Sequence, residues 1–145
     1  MTTEQIFNKL PFAKPFLFVD KLHYVNENEA SGSFTFDENL DFYKGHFKNY
    51  PITPGVILIE VMAQIGVSTI AIFLKKGEIK ENELHYATHA EVEFLKPVLP
   101  KETVTVFSKK IYARFGKVKC KVIMKNELGE IVCQGILAGL LKQHK

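Results

Sequence analysis

At 145 residues, with 46% hydrophobic and 24% charged residues, the chain has the length and balance of a single globular domain, residues 1–145, built on one core. Twelve Phe and no Trp imply a large apolar interior. The formal charge of +3 is small and the lysines are dispersed, which argues against a nucleic-acid surface and is compatible with an acidic partner or a negatively charged ligand.

Residues 3–10 suit a short helix with Thr3 as its cap, and no basic stretch followed by an apolar one marks a signal peptide there. Pro11 and Pro15 then impose an extended path. Residues 16–25 and 30–36 read as strands joined by the polar turn at 26–29. Residues 37–44 cross irregularly and deliver the chain to Gly45-His46-Phe47, after which Pro51 and Pro54 bracket a rigid turn. From Val56 to about Leu74 the sequence is apolar and free of proline, which predicts a helix that must be covered on every side. Lys75, Lys76 and Gly77 suit its C-terminal end.

A bilayer span of the same stretch is disfavoured. It carries Glu60, Gln64, Ser68 and Thr69, and a lone acid at membrane depth costs about 2.5–3.5 kcal/mol. After a polar loop at 80–84, a strand at 90–95 is stopped by Pro97 and Pro100, and another follows at 103–113. Val118, Cys120, Val122 and Met124 then alternate with Lys117, Lys119 and Lys121, so that strand has one buried and one wet face. A turn at 126–129 leads to a last strand at 130–141. Cys120 and Cys133 lack metal-type spacing and read as free, half-buried thiols in a reducing, cytoplasmic compartment. Strands, one central helix and then a meander predict an α+β fold in which the sheet curls around the helix and a second subunit closes the open side.

The residues with chemistry cluster at the start of the helix. Glu60 lies among apolar neighbours, which raise a carboxyl pKa and favour the proton-donating acid. From position alone it reads equally as a helix residue whose head reaches water or a lysine. Gln64, one turn on, is placed to hold that carboxyl, or else is a solvated helix position. His46 can accept a proton near neutral pH, although alone it reads as a loop histidine. The first helix amides, at Gly55 and Val56, have no intrahelical acceptor and favour developing negative charge, although a Pro-Gly helix start is common. His85 and His89 have the spacing of helical metal ligands, but neither a helix nor a third ligand is suggested around them. Lys109, Lys110, Lys117, Lys119, Lys121 and Arg114 read as a solvated sheet face.

Taken together, Gly45-His46-Phe47, Pro51-Ile52-x-Pro54-Gly55-Val56, Glu60 and Gln64 resemble the central motif of the (3R)-3-hydroxyacyl-acyl-carrier-protein dehydratases of type II fatty acid synthesis. Pro15-Phe-Leu-Phe-Val-Asp20 and Phe94-Leu-Lys-Pro-Val-Leu-Pro100 resemble two further segments of that family, in the same order. The resemblance implies the hotdog fold, a curved antiparallel sheet around one long helix. It also implies a homodimer, in many members a trimer of dimers, whose sites combine the histidine of one subunit with the acid of the other. On that pattern His46 removes the C2 proton, Glu60 protonates or positions the departing 3-hydroxyl, Gly55 binds the thioester carbonyl and Gln64 helps hold Glu60. The resemblance requires no metal or organic cofactor, and the substrate arrives on the phosphopantetheine arm of an acidic acyl carrier protein.

Three places depart from the family pattern. Phe12-Ala-Lys14 stands where His-Arg-Tyr is usual, Lys48-Asn-Tyr50 where Pro-Gly-Arg is usual, and residues 85–90 differ near the acyl tunnel. A dedicated polyene or other secondary lipid pathway is therefore an expectation beside fatty acid synthesis. Two alternatives fit less of the sequence. A hotdog thioesterase has no need of the histidine, and a non-catalytic acyl-binding subunit of a heteromer has no need of the pair.

Overall fold

The computed structural model describes residues 1–144. Helix α1 (Thr3–Lys9) leads into β1 (Lys21–Val25) and β2 (Glu29–Thr35), and a 3-10 turn (Asp41–Lys44) precedes the central helix Gly55–Leu74. Strands β3 (Glu83–Phe94), β4 (Thr103–Arg114), β5 (Lys117–Lys125) and β6 (Ile131–Gln143) follow. All six strands pair antiparallel in the order β1-β2-β4-β5-β6-β3. The sheet wraps the helix, which is the α+β hotdog arrangement anticipated from the sequence.

Burial follows the strand period. Val118, Cys120, Val122 and Met124 point inward from β5, while its lysines remain at the surface. Edge-to-face aromatic pairs, Phe18 on Phe34 and Phe34 on Phe36, fill one end of the core with ring centroids 5.6 and 4.9 Å apart. The central helix is long and apolar enough to cross a membrane, and 67% of its apolar window is buried inside the molecule. Val61, Ile65, Ile70 and Ile72 are fully enclosed.

The helix is α-helical at Gly55–Ala63 and Thr69–Leu74, with a wide π-type turn at Gln64–Ser68 between them. Such a turn loosens the regular i to i−4 ladder, and its polar groups need other partners. Hydroxyls supply some of these: Ser108 Oγ donates to the Gly66 carbonyl at 2.8 Å and Thr69 Oγ1 donates to the Ile65 carbonyl. A Cβ at position 66 would stand 3.0 Å from the Ser108 Cβ, so glycine is what lets β4 approach closely enough for that bond.

The structure moves several predicted boundaries. The cap of α1 is Thr2 rather than Thr3, because Thr2 lies three residues ahead of Gln5 and forms a reciprocal capping box with it. Strand β1 begins at Lys21 rather than at residue 16, because the backbone of Phe16 and Phe18 bonds to the Gln64 side chain instead of to a neighbouring strand. Strand β3 begins at Glu83, within the expected loop, because the long β6 pairs with it as far as Gln143. His85 and His89 therefore lie on a strand interrupted by a bulge, where helical ligand spacing has no meaning.

The cysteines are free, as expected, but fully rather than half buried. Cys133 Sγ packs 3.8 Å from the sulfurs of both Met62 and Met124. Burial pushes the Cys120 thiol up to about 11 and the Cys133 thiol up to about 12. Neither should be alkylated by iodoacetamide in the native protein at pH 8, and both should be after unfolding in guanidinium. Mass spectrometry of the two samples checks this, and native labelling of either would contradict the enclosed core.

Candidate active site

The loop before the central helix is tied down at several points. The Ile52 amide donates to the His46 carbonyl at 2.9 Å, and the Thr53 amide donates to the Val98 carbonyl at 2.9 Å. The buried Tyr43 hydroxyl pairs with the Thr53 hydroxyl. His46 Nδ1 lies 2.8 Å from the Ile52 carbonyl oxygen. A carbonyl only accepts, so in the neutral ring Nδ1 carries the hydrogen and Nε2 is left with a free lone pair. The ring is half-buried and stacked on Phe47, with centroids 3.9 Å apart. His46 is thus a fixed imidazole presenting a proton-accepting nitrogen.

Among the described residues, neither the Gly55 nor the Val56 amide finds an acceptor; the first helical bonds are those of Ile57 and Leu58 to the Pro54 carbonyl. Gly55 and His46 line the same shallow cavity of about 400 Å³, together with Phe94, Leu95 and Pro97. A Cβ at position 55 would stand 3.1 Å from the Phe94 ring, so a larger residue would crowd this wall. The Val56 side chain points to solvent, 72% exposed, and does not line that cavity.

Glu60 is half-buried one turn further along. Gln64 Nε2 donates to Glu60 Oε2 at 2.9 Å, which leaves Oε1 as the oxygen able to carry the acid proton. Burial raises the Glu60 pKa, and the bond from Gln64 partly opposes that rise. Gln64 itself is fully buried, not solvated. Its Nε2 also donates to the Phe16 carbonyl at 2.9 Å, and its Oε1 accepts from the Phe18 amide at 2.8 Å.

The three sequence segments singled out above therefore converge. The Pro15-to-Asp20 segment is held by Gln64, the Phe94-to-Pro100 segment supplies Phe94 and Val98 around Gly55 and Thr53, and the central motif supplies the candidate reactive groups. Within one chain the candidate base and acid stand apart. Glu60 lines a different cavity, about 260 Å³, with Phe12, Ala63, Ser68, His85 and Leu137. His46 is not part of that wall. The resemblance had set residues 85–90 near the acyl tunnel, where His85 does line a cavity, but sequence reasoning missed Ser68 beside it. The available signal was the run of small residues on the Glu60 side of the helix, Ala63, Ser68 and Ala71, which leaves room beside it.

Comparisons with known proteins identify the family of the chain. Residues 10–134 match the model of the FabA-like domain family. A 3-hydroxyacyl-[acyl-carrier-protein] dehydratase FabZ from Clostridium perfringens is 34% identical over 139 residues, covering 93% of this chain and 94% of the relative. The chain belongs to the FabA-like family, on its 3-hydroxyacyl-acyl-carrier-protein dehydratase side. Among solved structures, the dehydratase heterocomplex ApeI:P from Xenorhabdus doucetiae superposes with a TM-score of 0.79 at 14% identity, covering 95% of this chain and 91% of that one. A thioesterase from Haemophilus influenzae superposes with a TM-score of 0.69 at 11% identity, covering 99% and 92%. At such identities these two structures establish the shared fold and nothing further.

Replacing Gln64 with Leu should unpair the Phe16 carbonyl and the Phe18 amide, lowering stability by about 2 kcal/mol or more in urea unfolding. It should also remove a bond that favours the carboxylate, so the limb of the pH–rate profile belonging to Glu60 should move to higher pH. An unmoved profile would mean that Gln64 serves the fold alone.

Proposed function

We propose that this chain is a 3-hydroxyacyl-acyl-carrier-protein dehydratase, converting a (3R)-3-hydroxyacyl thioester to the trans-2-enoyl thioester with loss of water. The observation that carries the reading is that a chain of this family holds both a tautomer-fixed His46 and a partly desolvated, Gln64-held Glu60. His46 Nε2 takes the C2 proton. The electron pair left on C2 delocalises into the thioester carbonyl, whose oxygen accepts from the Gly55 amide, with the positive end of the central helix behind it. The pair then forms the C2–C3 double bond as the C3–O bond breaks, and Glu60 Oε1 protonates the leaving hydroxyl to give water. The proton on His46 returns to Glu60 through solvent to close the cycle. General acid–base groups of this kind contribute about 10²–10⁴-fold each. The Val56 amide is the second free donor at the helix start, and its solvent-facing side chain leaves the Gly55 amide as the principal one.

The site is completed by a second copy. Strand β3 is a 12-residue edge strand with one side unpaired, and Leu84, Tyr86 and Phe94 along it are exposed, as are Leu95 just past its end and Val56 at the helix start. An edge of this length invites pairing. The His46 cavity adjoins the Phe94 end of β3, and the Glu60 cavity adjoins its other half, at His85 to Ala90. Antiparallel pairing of two β3 strands about a two-fold axis sets the Phe94 end of one beside the His85 end of the other, so His46 of one chain approaches Glu60 of its partner. A trimer of such dimers is the larger assembly that the resemblance implies.

The lysine-bearing outer face of β4 and β5 offers an acidic carrier protein a docking surface, with Lys109 opposite Lys121 and Arg114 over the Tyr112 ring at 4.7 Å. No residue role in this scheme draws on a metal or organic cofactor. The central helix serves as the core of a soluble, single-domain protein rather than as a span, and the two buried free thiols suit the cytoplasm. The similarity to FabZ dehydratases supports a role in fatty acid biosynthesis, and the departures at 12–14 and 48–50 suit a dedicated lipid pathway beside it.

His46→Ala and Glu60→Ala should each lower enoyl formation by about 100-fold or more, read by ultraviolet absorbance. Mixing the two variants under conditions of subunit exchange makes half the dimers mixed, each with one intact site, so roughly a quarter of the wild-type activity should return. No recovery in mixed dimers verified by native mass spectrometry would overturn the shared site. Release of free thiol in place of an enoyl product would identify a thioesterase.

A further inference from the structure

Ser68 closes the wide turn eight residues beyond Glu60, roughly 12 Å along the helix axis at about 1.5 Å per residue. Its hydroxyl lies 2.9 Å from His85 Nδ1. The other ring nitrogen, Nε2, is buried and has no hydrogen-bond partner, the one such side-chain atom among the described residues. His85 and Ser68 both line the cavity that begins at Glu60, whose remaining wall is largely apolar, including Ala63, Val67, Ala71 and Leu137. A buried polar atom left unpaired is costly, and native structures retain few of them, most with a purpose. Desolvation by burial lowers the His85 pKa, against an opposing effect of Glu83, and so favours the neutral ring. In a neutral imidazole one nitrogen donates and the other accepts, and the Ser68 hydroxyl can satisfy Nδ1 in either role.

We propose that His85 is a specificity-determining residue, whose Nε2 selects acyl chains carrying a hydroxyl group at the depth of Ser68 in the cavity. A hydroxyl is the matching group because it both donates and accepts, and so pairs with Nε2 in whichever tautomer Ser68 leaves. Nε2 is covered, so a ligand atom reaches it only when a neighbour yields. We assign that part to Phe12, whose ring stands edge-on to the imidazole with centroids 6.2 Å apart and lines the same cavity. It belongs to the segment at 12–14 that departs from the family pattern, as does the segment that carries His85. An acyl chain without the hydroxyl leaves Nε2 unpaired and gains nothing from it. This inference rests on the dehydratase reading.

The test uses the intact protein and pairs of 3-hydroxyacyl pantetheine thioesters of equal length, one with a methyl and one with a hydroxymethyl end, over a series of lengths. At one length the hydroxylated chain should have a kcat/KM about tenfold or more above its plain partner. In His85→Leu that ratio should fall below one, and in Ser68→Ala, which leaves the ring in place but unheld, it should drop towards one. Each ratio is taken within one enzyme, so a general loss of activity does not distort it. A ratio near one at every length in the wild type, or one that persists in folded His85→Leu, overturns the proposal and means that Nε2 is completed otherwise, for instance by the partner subunit. If His85→Leu does not fold, the wild-type and Ser68→Ala ratios decide. Calorimetry with the corresponding non-reactive acyl-pantetheine amides reads the same preference without turnover. A preference in binding without any enoyl product would therefore sink the dehydratase reading while sustaining the selectivity of His85, and turnover without a preference would do the reverse.

Discussion

A glutamine amide with no solvent exposure joins the central helix to the segment that precedes the sheet. Gln64 accepts from the Phe18 amide and donates to both the Phe16 carbonyl and the Glu60 carboxylate, so three of its polar valences are used in an apolar surround. Each partner would be expensive to leave unpaired, at about 1–3 kcal/mol. The arrangement thus fixes the path of the chain over residues 16–18, the rotamer of Glu60 and the depth of the helix at once. It also explains why a segment with strand composition is not a strand, since its backbone groups are spent on a side chain.

The wide turn that begins at Gln64 extends the same constraint along the helix. Loosening the backbone ladder there creates a demand for hydroxyl donors, met by Thr69 from the helix and Ser108 from β4. The turn carries Gln64 at one end and Ser68 at the other, so the residue that holds Glu60 and the residue that holds His85 belong to one local irregularity. Departures from regular helix geometry often accompany function, and here the departure sets the polar groups of an otherwise apolar cavity.

The edge strand β3 links the two cavities. Its Phe94 end touches the chamber of His46 and Gly55, and its other half touches the chamber of Glu60 and His85. On the proposed reading, a chain that keeps its base and its acid in separate chambers, on either half of an unpaired edge, has the form of half a site. The same edge that would be a liability in a monomer is, on that proposal, the axis of an assembly.

Much of this was legible in the order of residues. The apolar run from Val56 to Leu74 demanded cover on all sides, the alternation from Val118 to Met124 declared a one-sided strand, and the motif of His46, Gly55, Glu60 and Gln64 marked the candidate site residues. These signals are local, set by periodicity and by backbone chemistry that a few neighbours determine. The tertiary structure alone decided where β3 begins, because its partner β6 sets its length, and why β1 starts late, because Gln64 competes for its backbone. It alone showed that His46 and Glu60 line different cavities, and that Ser68 meets His85 across seventeen residues of sequence. Sequence specifies which groups are present and how each prefers to fold locally; which of them share a cavity depends on packing between distant segments, and no periodicity records that.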